Sequence, residues 1–295
     1  AAQSVLKEDA VTLQEVMDDL TGNKQLQALF AAFNMCSGVK PAEISFANYS
    51  RICYDLYQSV ARVEGGGEAF VQAFQKRLKK FEIEIRCNCE VVECRDIRDK
   101  TVNRFALNTG EEIGFRNAVF TIHPRAIVDL LPRTHVTKAF LQRVEGFEPS
   151  AGFFAVFARL DDACPESDFG STISSYFPEV DFNRMMSPEY SGDQALVLIK
   201  NTEAVKGRPV RVIHALELSY PEHVARWQDS TVGHRPQDYQ DYKKDRIDRI
   251  CKRIARYQPG YTGHFQVLDA ASLLTFRDYL HSPEGAAYGI KQKRS

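Results

Sequence analysis

Gly65, Gly66 and Gly67 open a stretch in which Phe70, Phe74 and Leu78 recur at helical spacing. A helix that starts on glycines lets its free N–H groups come close to a neighbour, and those groups favour an anion. The run is a near miss for G-x-G-x-x-G, because Phe70 stands where the third glycine belongs and no convincing strand precedes it. A tight turn required by packing is the other reading. Cys87, Cys89 and Cys94 invite a metal, yet residues two apart on a strand share a face and no second Cys/His pair follows at a zinc-like distance. Reduced thiols packed in a sheet are expected here, and no metal. His214 alternates with Val210, Val212, Leu216 and Leu218, which puts an imidazole on an apolar strand face. It is a weak candidate for a catalytic proton donor, and equally the kind of histidine that bonds within a core or marks a sheet edge. Tyr288, between Ala287 and Gly289, can pack against a flat cofactor or substrate, or anchor a loop through its hydroxyl. His123 and His264 have no partner legible in the sequence, and no Ser/His/Asp or Cys/His grouping emerges.

The elements that must position these residues follow from periodicity and punctuation. Thr12 with Glu15 forms a capping-box signature for a helix to Asp19; Leu26, Leu29, Phe30 and Phe33 then repeat at helical spacing until Gly38 and Pro41. A further helix is expected over Phe46 to Val60, and another after the glycine run. Strand character extends from Glu82 to Arg95, Thr101 to Leu107, Ile113 to Phe115 and Ala118 to Ile122, with a hairpin turn at Asn108-Thr109-Gly110. Short helices follow at Pro124 to Leu131 and Val136 to Val144. Four more strands, at Phe153 to Leu160, Ser171 to Phe177, Ala195 to Asn201 and Val210 to Leu218, are joined by proline-containing loops and predict a mostly antiparallel sheet. Asp238 to Tyr257 reads as a long amphipathic helix. Tyr239, Tyr242, Ile247, Ile250, Ile254 and Tyr257 lie on one side of it, and Lys243, Lys244, Asp245, Arg249, Lys252 and Arg253 form a solvated face.

Composition narrows the classes of function. The chain has 295 residues, 44% hydrophobic and 26% charged, with 38 basic against 39 acidic side chains. No basic excess exists to hold a polyanion, so nucleic acid is not an expected partner. The apolar runs Gly152 to Ala158 and Ala195 to Ile199 fall short of the roughly 20 residues that span a bilayer. A secretion signal is not evident, so a cytoplasmic protein is expected, with peripheral membrane contact left open. Seven cysteines at scattered spacing do not suggest a disulfide framework. Oligomeric state has no signature.

Three segments, in order, resemble one family. The first runs from Pro41 through Val63-Glu64-Gly65-Gly66-Gly67-Glu68-Ala69-Phe70 to Ile83-Glu84-Ile85 and Cys89-Glu90-Val91. The second is Thr109-Gly110-Glu111-Glu112-Ile113 with Asn117-Ala118-Val119-Phe120-Thr121-Ile122-His123-Pro124. The third is Tyr257-Gln258-Pro259-Gly260, Val267-Leu268-Asp269-Ala270-Ala271-Ser272 and Pro283-Glu284-Gly285-Ala286-Ala287-Tyr288-Gly289. Each motif alone is weak; their order and spacing resemble the middle and late parts of the FAD-dependent phytoene desaturase, carotenoid isomerase and retinol saturase group. That resemblance implies a glutathione-reductase-type FAD domain interrupted by a substrate domain with a sheet and covering helices. It further implies that Gly66 and Gly67 lie near FAD and that Val91 sits on the strand facing the adenine. Ala287, Tyr288 and Gly289 would then approach the isoalloxazine ring. The implied chemistry is hydride exchange between flavin N5 and a long apolar substrate, isoprenoids included, in a tunnel to which Phe153, Phe154, Phe157, Tyr176 and Phe177 could contribute.

Two departures shape the expectation. The opening strand with G-x-G-x-x-G and its ribose-binding acid is missing, and the chain stops at Lys291 to Ser295, before a terminal glycine-rich segment. The chain is therefore expected to be an internal piece that binds FAD poorly or not at all and is not competent alone. A flavin-dependent carotenoid-type isomerase and a non-enzymatic isoprenoid-lipid carrier are the alternatives. The expected architecture is α+β. It combines a helical segment over 1–64, a partial FAD-binding domain over 65–131, a substrate-binding domain over 132–256, and a return toward the FAD domain over 257–295.

Overall fold

The computed structural model describes residues 9–165 and 172–294. The chain divides into two compact units, Ala1–Gly66 with Pro149–Ser295, and Gly67–Glu148. The first unit opens with helix α1 (Leu13–Leu20), whose Thr12 hydroxyl accepts from the Glu15 N–H while the Glu15 carboxylate accepts from the Thr12 N–H, the reciprocal cap that the sequence predicts. Helix α2 (Lys24–Phe30) departs from its apolar pattern. Leu26, Leu29 and Phe30 face outward, and Gln27 turns inward, donating through Nε2 to Thr21 O at 2.7 Å and Asp18 Oδ1 at 2.9 Å. Seven residues are too few to impose a stripe when one amide finds two acceptors. A 3-10 turn (Ala32–Ser37) then ends on Gly38, and helix α3 (Phe46–Gln58) follows behind the Ser45 cap.

In the second unit, helix α4 (Gly66–Lys80) has no buried residue, so the Phe70 and Phe74 stripe expected to pack is more than half exposed within this unit. The strand expected from Glu82 begins only at Val91. Glu82 and Asn88 take positive φ, which breaks extended backbone, and the Ile83 N–H stays bonded to Leu78 O at the helix end. Strands β1 (Val91–Arg98), β2 (Thr101–Leu107) and β3 (Glu112–Gly114) form an antiparallel sheet in that order. Ala118 to Ile122 forms no strand; its Phe120 ring packs on Phe105, which also meets Phe115. Cys87 and Cys89 lie in the loop ahead of β1 rather than in the sheet, whereas Cys94 is buried on β1. Helix α5 (Pro124–Asp129) gives His123 a role, because its Nδ1 accepts from the Arg125 N–H as the cap; helix α6 (Lys138–Glu145) ends the unit.

The chain then returns to the first unit with β4 (Gly152–Leu160), β5 (Ile173–Tyr176), a short helix α7 (Phe182–Met185), β6 (Leu196–Val205) and β7 (Arg208–Ser219). After these come α8 (Gln237–Tyr257), β8 (Phe265–Ala271) and α9 (Leu273–Leu280). The start of the strand expected at Ser171 lies outside the described residues. The five strands pair antiparallel in the order β5-β6-β7-β4-β8, so the fold is α+β as the sequence predicts. Strand β8 and helix α9 were not foreseen, since Gln266 and Asp269 sit three apart in Phe265–Ala271 and break the alternation.

Alternation divides the sheet into two faces. Phe154, Val156, Leu196, Leu198, Ile213 and Ala215 point to one face and pack on Ile250 and Ile254 of α8, all at most 1% exposed. Each large apolar side chain so buried contributes about 1.5–3 kcal/mol. One end of the other face, at Leu218, Phe153 and Val197, packs on Met17, Met35 and Ile44 from the N-terminal helical region.

Candidate functional site

The second sheet face changes character beyond that end. Pairing places Phe157 of β4 opposite His214 of β7, and His214 opposite Ile199 of β6, three side chains in one row. Val212 and Leu216 flank His214 on the same strand face; all four apolar neighbours are only partly buried. The rings of Phe157 and His214 meet edge to face at 5.2 Å. His214 is itself exposed, so the expected polar ring on an apolar side exists. Desolvation holds its pKa below the ordinary histidine value, against the opposing charge of Glu203. Glu203 shares this face on β6 and accepts a hydrogen bond from Asn201 Nδ2.

Ala287, Tyr288 and Gly289 lie along the same sheet, against the residues that lead into β4. Ala287 N–H donates to Ala151 O at 3.2 Å, Tyr288 N–H to Ser150 Oγ at 3.0 Å, and Ser150 N–H to Gly289 O at 2.9 Å. The Tyr288 ring meets Phe153 edge-on at 6.2 Å. Phe153 and Phe157 are four residues apart on one strand face, about 13 Å. Tyr288 and the His214 row thus stand at two stations of a single surface. Gly38 fixes the first: it has φ +63°, and a Cβ there would lie 3.0 Å from both Ser150 Cβ and Tyr288 Cδ2.

Gly66 has φ +67° and donates its N–H to Val63 O at 3.0 Å; its nearest side chain is Glu203, whose carboxylate would stand 3.7 Å from an added Cβ. Gly67 opens the second unit, and Val91 begins β1 opposite Leu107 in that unit. The remaining tunnel candidates separate. Phe154 is sealed in the core, Tyr176 stacks on Tyr257 at 4.5 Å on the α8 side, and Phe177 packs on Phe182. Only Phe153 and Phe157 belong to the apolar surface.

The chain is similar to a retinol reductase. It is 22% identical to all-trans-retinol 13,14-reductase of Danio rerio over 304 aligned positions, 94% of this chain and 49% of that protein. The chain thus spans about half the length of the curated relative it matches. A crystal structure of the PF1083 protein from Pyrococcus furiosus superimposes with a TM-score of 0.59 at 17% identity, covering 89% of this chain and 57% of that one, a likeness of fold. No family model matches the chain.

The residues that the resemblance assigns to FAD can be tested on their own geometry. A pyrophosphate cradle needs a parallel strand–turn–helix unit with free N–H groups. Every strand pair among the described residues is antiparallel, the Gly66 N–H is already used, and an anionic carboxylate is its nearest side-chain neighbour. The amides of Ala287 and Tyr288 are likewise bonded within the protein. The Gly66, Ala287 and Tyr288 amides are therefore not available to the pyrophosphate of a dinucleotide, and no parallel strand–turn–helix unit stands among the described residues.

The sequence pattern also concealed a buried ionic group. Arg253, assigned to the solvated face of α8, is 4% exposed, and Arg246 is 3% exposed. Both donate to Glu217 of β7, Arg253 Nη1 at 2.7 Å and Arg246 through Nη2. The signal was present: 239, 242, 246, 250, 253 and 257 advance by three or four, so both arginines fall on the apolar stripe. No helix among the described residues is long and apolar enough to cross a membrane.

Proposed function

We propose that this chain is the substrate-binding part of an oxidoreductase that acts on a long apolar substrate of retinoid or isoprenoid type. The observation that carries this reading is the half-buried apolar surface of Phe157, Ile199, Val212 and Leu216 around the His214 imidazole, on a sheet whose other face is sealed by α8. The similarity to a retinol reductase over 94% of the chain points the same way. A polyene needs a flat, dry wall to hold it straight, and one face of a β-sheet lined by β-branched and aromatic side chains supplies that. The redox group this reading calls for is FAD, which would exchange hydride with a carbon of the substrate when bound. Because no parallel strand–turn–helix unit stands among the described residues, the chain's own share is to bind the apolar chain, orient it and exclude water, with His214 to exchange a proton.

The test is a titration of the full chain with all-trans-retinol, followed by energy transfer from Trp227, the sole tryptophan. Saturable binding is expected in the wild type, weakened about tenfold or more by Ile199→Asp, since a carboxylate in an apolar contact costs more than 1.4 kcal/mol. Absence of saturable binding by a folded wild type refutes the reading. Binding that Ile199→Asp leaves intact moves the site elsewhere.

A further inference from the structure

On the α8 side of the sheet lies a cavity of about 300 Å³, lined among others by Asp193, Glu217, His223, Tyr242, Arg246 and Arg249. Its charges do not cancel. Glu217 is engaged by Arg246 and Arg253, and Asp193 lies 3.3 Å from Arg256 Nη2 and 3.7 Å from Arg253 Nε. Arg249 stands at the rim, exposed, and no carboxylate pairs with it among the described residues. Three guanidiniums, Arg246, Arg253 and Arg256, thus serve two acids, with Arg253 shared between them, and Arg249 is left over as a fourth.

The hydrogen-bond donors are divided in the same way. Arg246 Nη2 serves Glu217 and Leu218 O, while its Nη1 donates to Tyr242 Oη at 3.2 Å and faces His223 Nδ1 at 3.4 Å. Arg246 therefore lends the cavity a positive field but few free donors. Arg249 keeps its whole fork, and Tyr242, having accepted from Arg246, keeps its own O–H to donate. The groups facing His223 are the Ser219 hydroxyl, the Tyr220 N–H, the Pro188 carbonyl, and the guanidiniums of Arg246 and Arg249. Burial first, and then those two positive charges, bring the imidazole down to about 4, as expected where guanidiniums outnumber carboxylates.

We propose that this cavity binds a small oxyanion, a carboxylate or phosphate group, with Arg249 and the Tyr242 hydroxyl as donors and Arg246 as the field behind them. Its volume is at the low end for small-molecule pockets, which suits a compact acid rather than a polyene. Glu217 and Leu216 are adjacent on β7 and point to opposite faces, so this site is separate from the apolar surface and stands independently of the retinoid reading.

The experiment titrates the isotope-labelled full chain with inorganic phosphate and, separately, with acetate at constant ionic strength. NMR follows the Arg249 Nε–Hε group and the His223 ring. Saturable shifts at Arg249 and an upward move of the His223 pKa are expected, because the anion offsets the two guanidinium charges. Tighter response to phosphate assigns a phosphate group, and tighter response to acetate assigns a carboxylate. Arg249→Gln, on an exposed helix position, should weaken the response about tenfold, with Arg249→Lys retaining part of it. Tyr242→Phe provides a second variant that keeps the ring and loses the donor. Non-saturating shifts with both anions, or saturation unchanged in Arg249→Gln and Tyr242→Phe, overturn the proposal.

Discussion

Arg253 Nη1 donates to Glu217 Oε1 at 2.7 Å from helix to strand, with both side chains at least nine-tenths sealed from solvent. The same carboxylate takes Arg246 on its other oxygen, and Arg253 Nη2 also donates to Gln194 O at 2.5 Å. Three charges are therefore buried between β7 and α8, beside the apolar cluster of Ile250 and Ile254. Removing the carboxylate leaves two guanidiniums facing one another without it. Glu217→Gln should lose about 3–5 kcal/mol of unfolding free energy, measured by urea denaturation. The combined Arg246→Met, Glu217→Leu and Arg253→Met variant should be close to wild type, since the ions and their desolvation leave together. Equal losses in both variants would show that packing volume, rather than charge, sets the cost.

How far this was legible differs by element. Strands β4, β6 and β7 and helix α8 follow from periodicity, because strict alternation and a long three-four pattern have few other solutions. That His214 shares a face with Val212 and Leu216 was likewise readable once β7 was a strand. Its cross-strand neighbours Phe157 and Ile199 were not, because they depend on pairing order and register. What escaped depended on contacts distant in sequence. Gln27 turns inward because Asp18 and Thr21 accept from it, and Arg253 is buried because Glu217 stands 36 residues earlier on the facing strand. The strand expected over Glu82 to Glu90 failed at single residues, Glu82 and Asn88, whose positive φ no alternation pattern reports.

His223 makes stability depend on pH. Its folded value is held at about 4 against an unfolded value near 6.5, so below pH 6.5 the unfolded chain takes up a proton that the folded chain refuses. The stabilisation is complete above pH 6.5 and is lost as pH falls from there to about 4. Allowing for solvent screening, the loss should be about 1–2 kcal/mol. Denaturation curves taken between pH 4 and 7 measure it, and His223→Gln should flatten the slope in that window.

Gly38 carries a steric prediction. Its φ of +63° is strained for any residue with a Cβ, and the 3.0 Å approach of Ser150 and Tyr288 means a methyl group fits only if they give way. Gly38→Ala should cost about 1–3 kcal/mol and loosen the Ala287–Tyr288 pairing, read as faster amide exchange at those two residues than at Ile213 in the sheet centre. Protection unchanged at Tyr288 would mean that the loop is held from elsewhere.

Glu203 and His214 provide the last prediction, at the apolar surface itself. Desolvation lowers the His214 pKa, and the Glu203 charge on the same face works against it. Glu203→Gln removes the opposing charge while keeping an amide for Asn201 to bond, so His214 should titrate at lower pH in the variant than in the wild type. A histidine depressed in the folded state costs stability as pH falls below its unfolded value, so the variant should also be the more acid-sensitive of the two. NMR titration of the imidazole ring decides the matter. A His214 pKa that rises on substitution would mean that the ring is governed by a different partner, and the proton-exchange role assigned to it would lose its electrostatic basis.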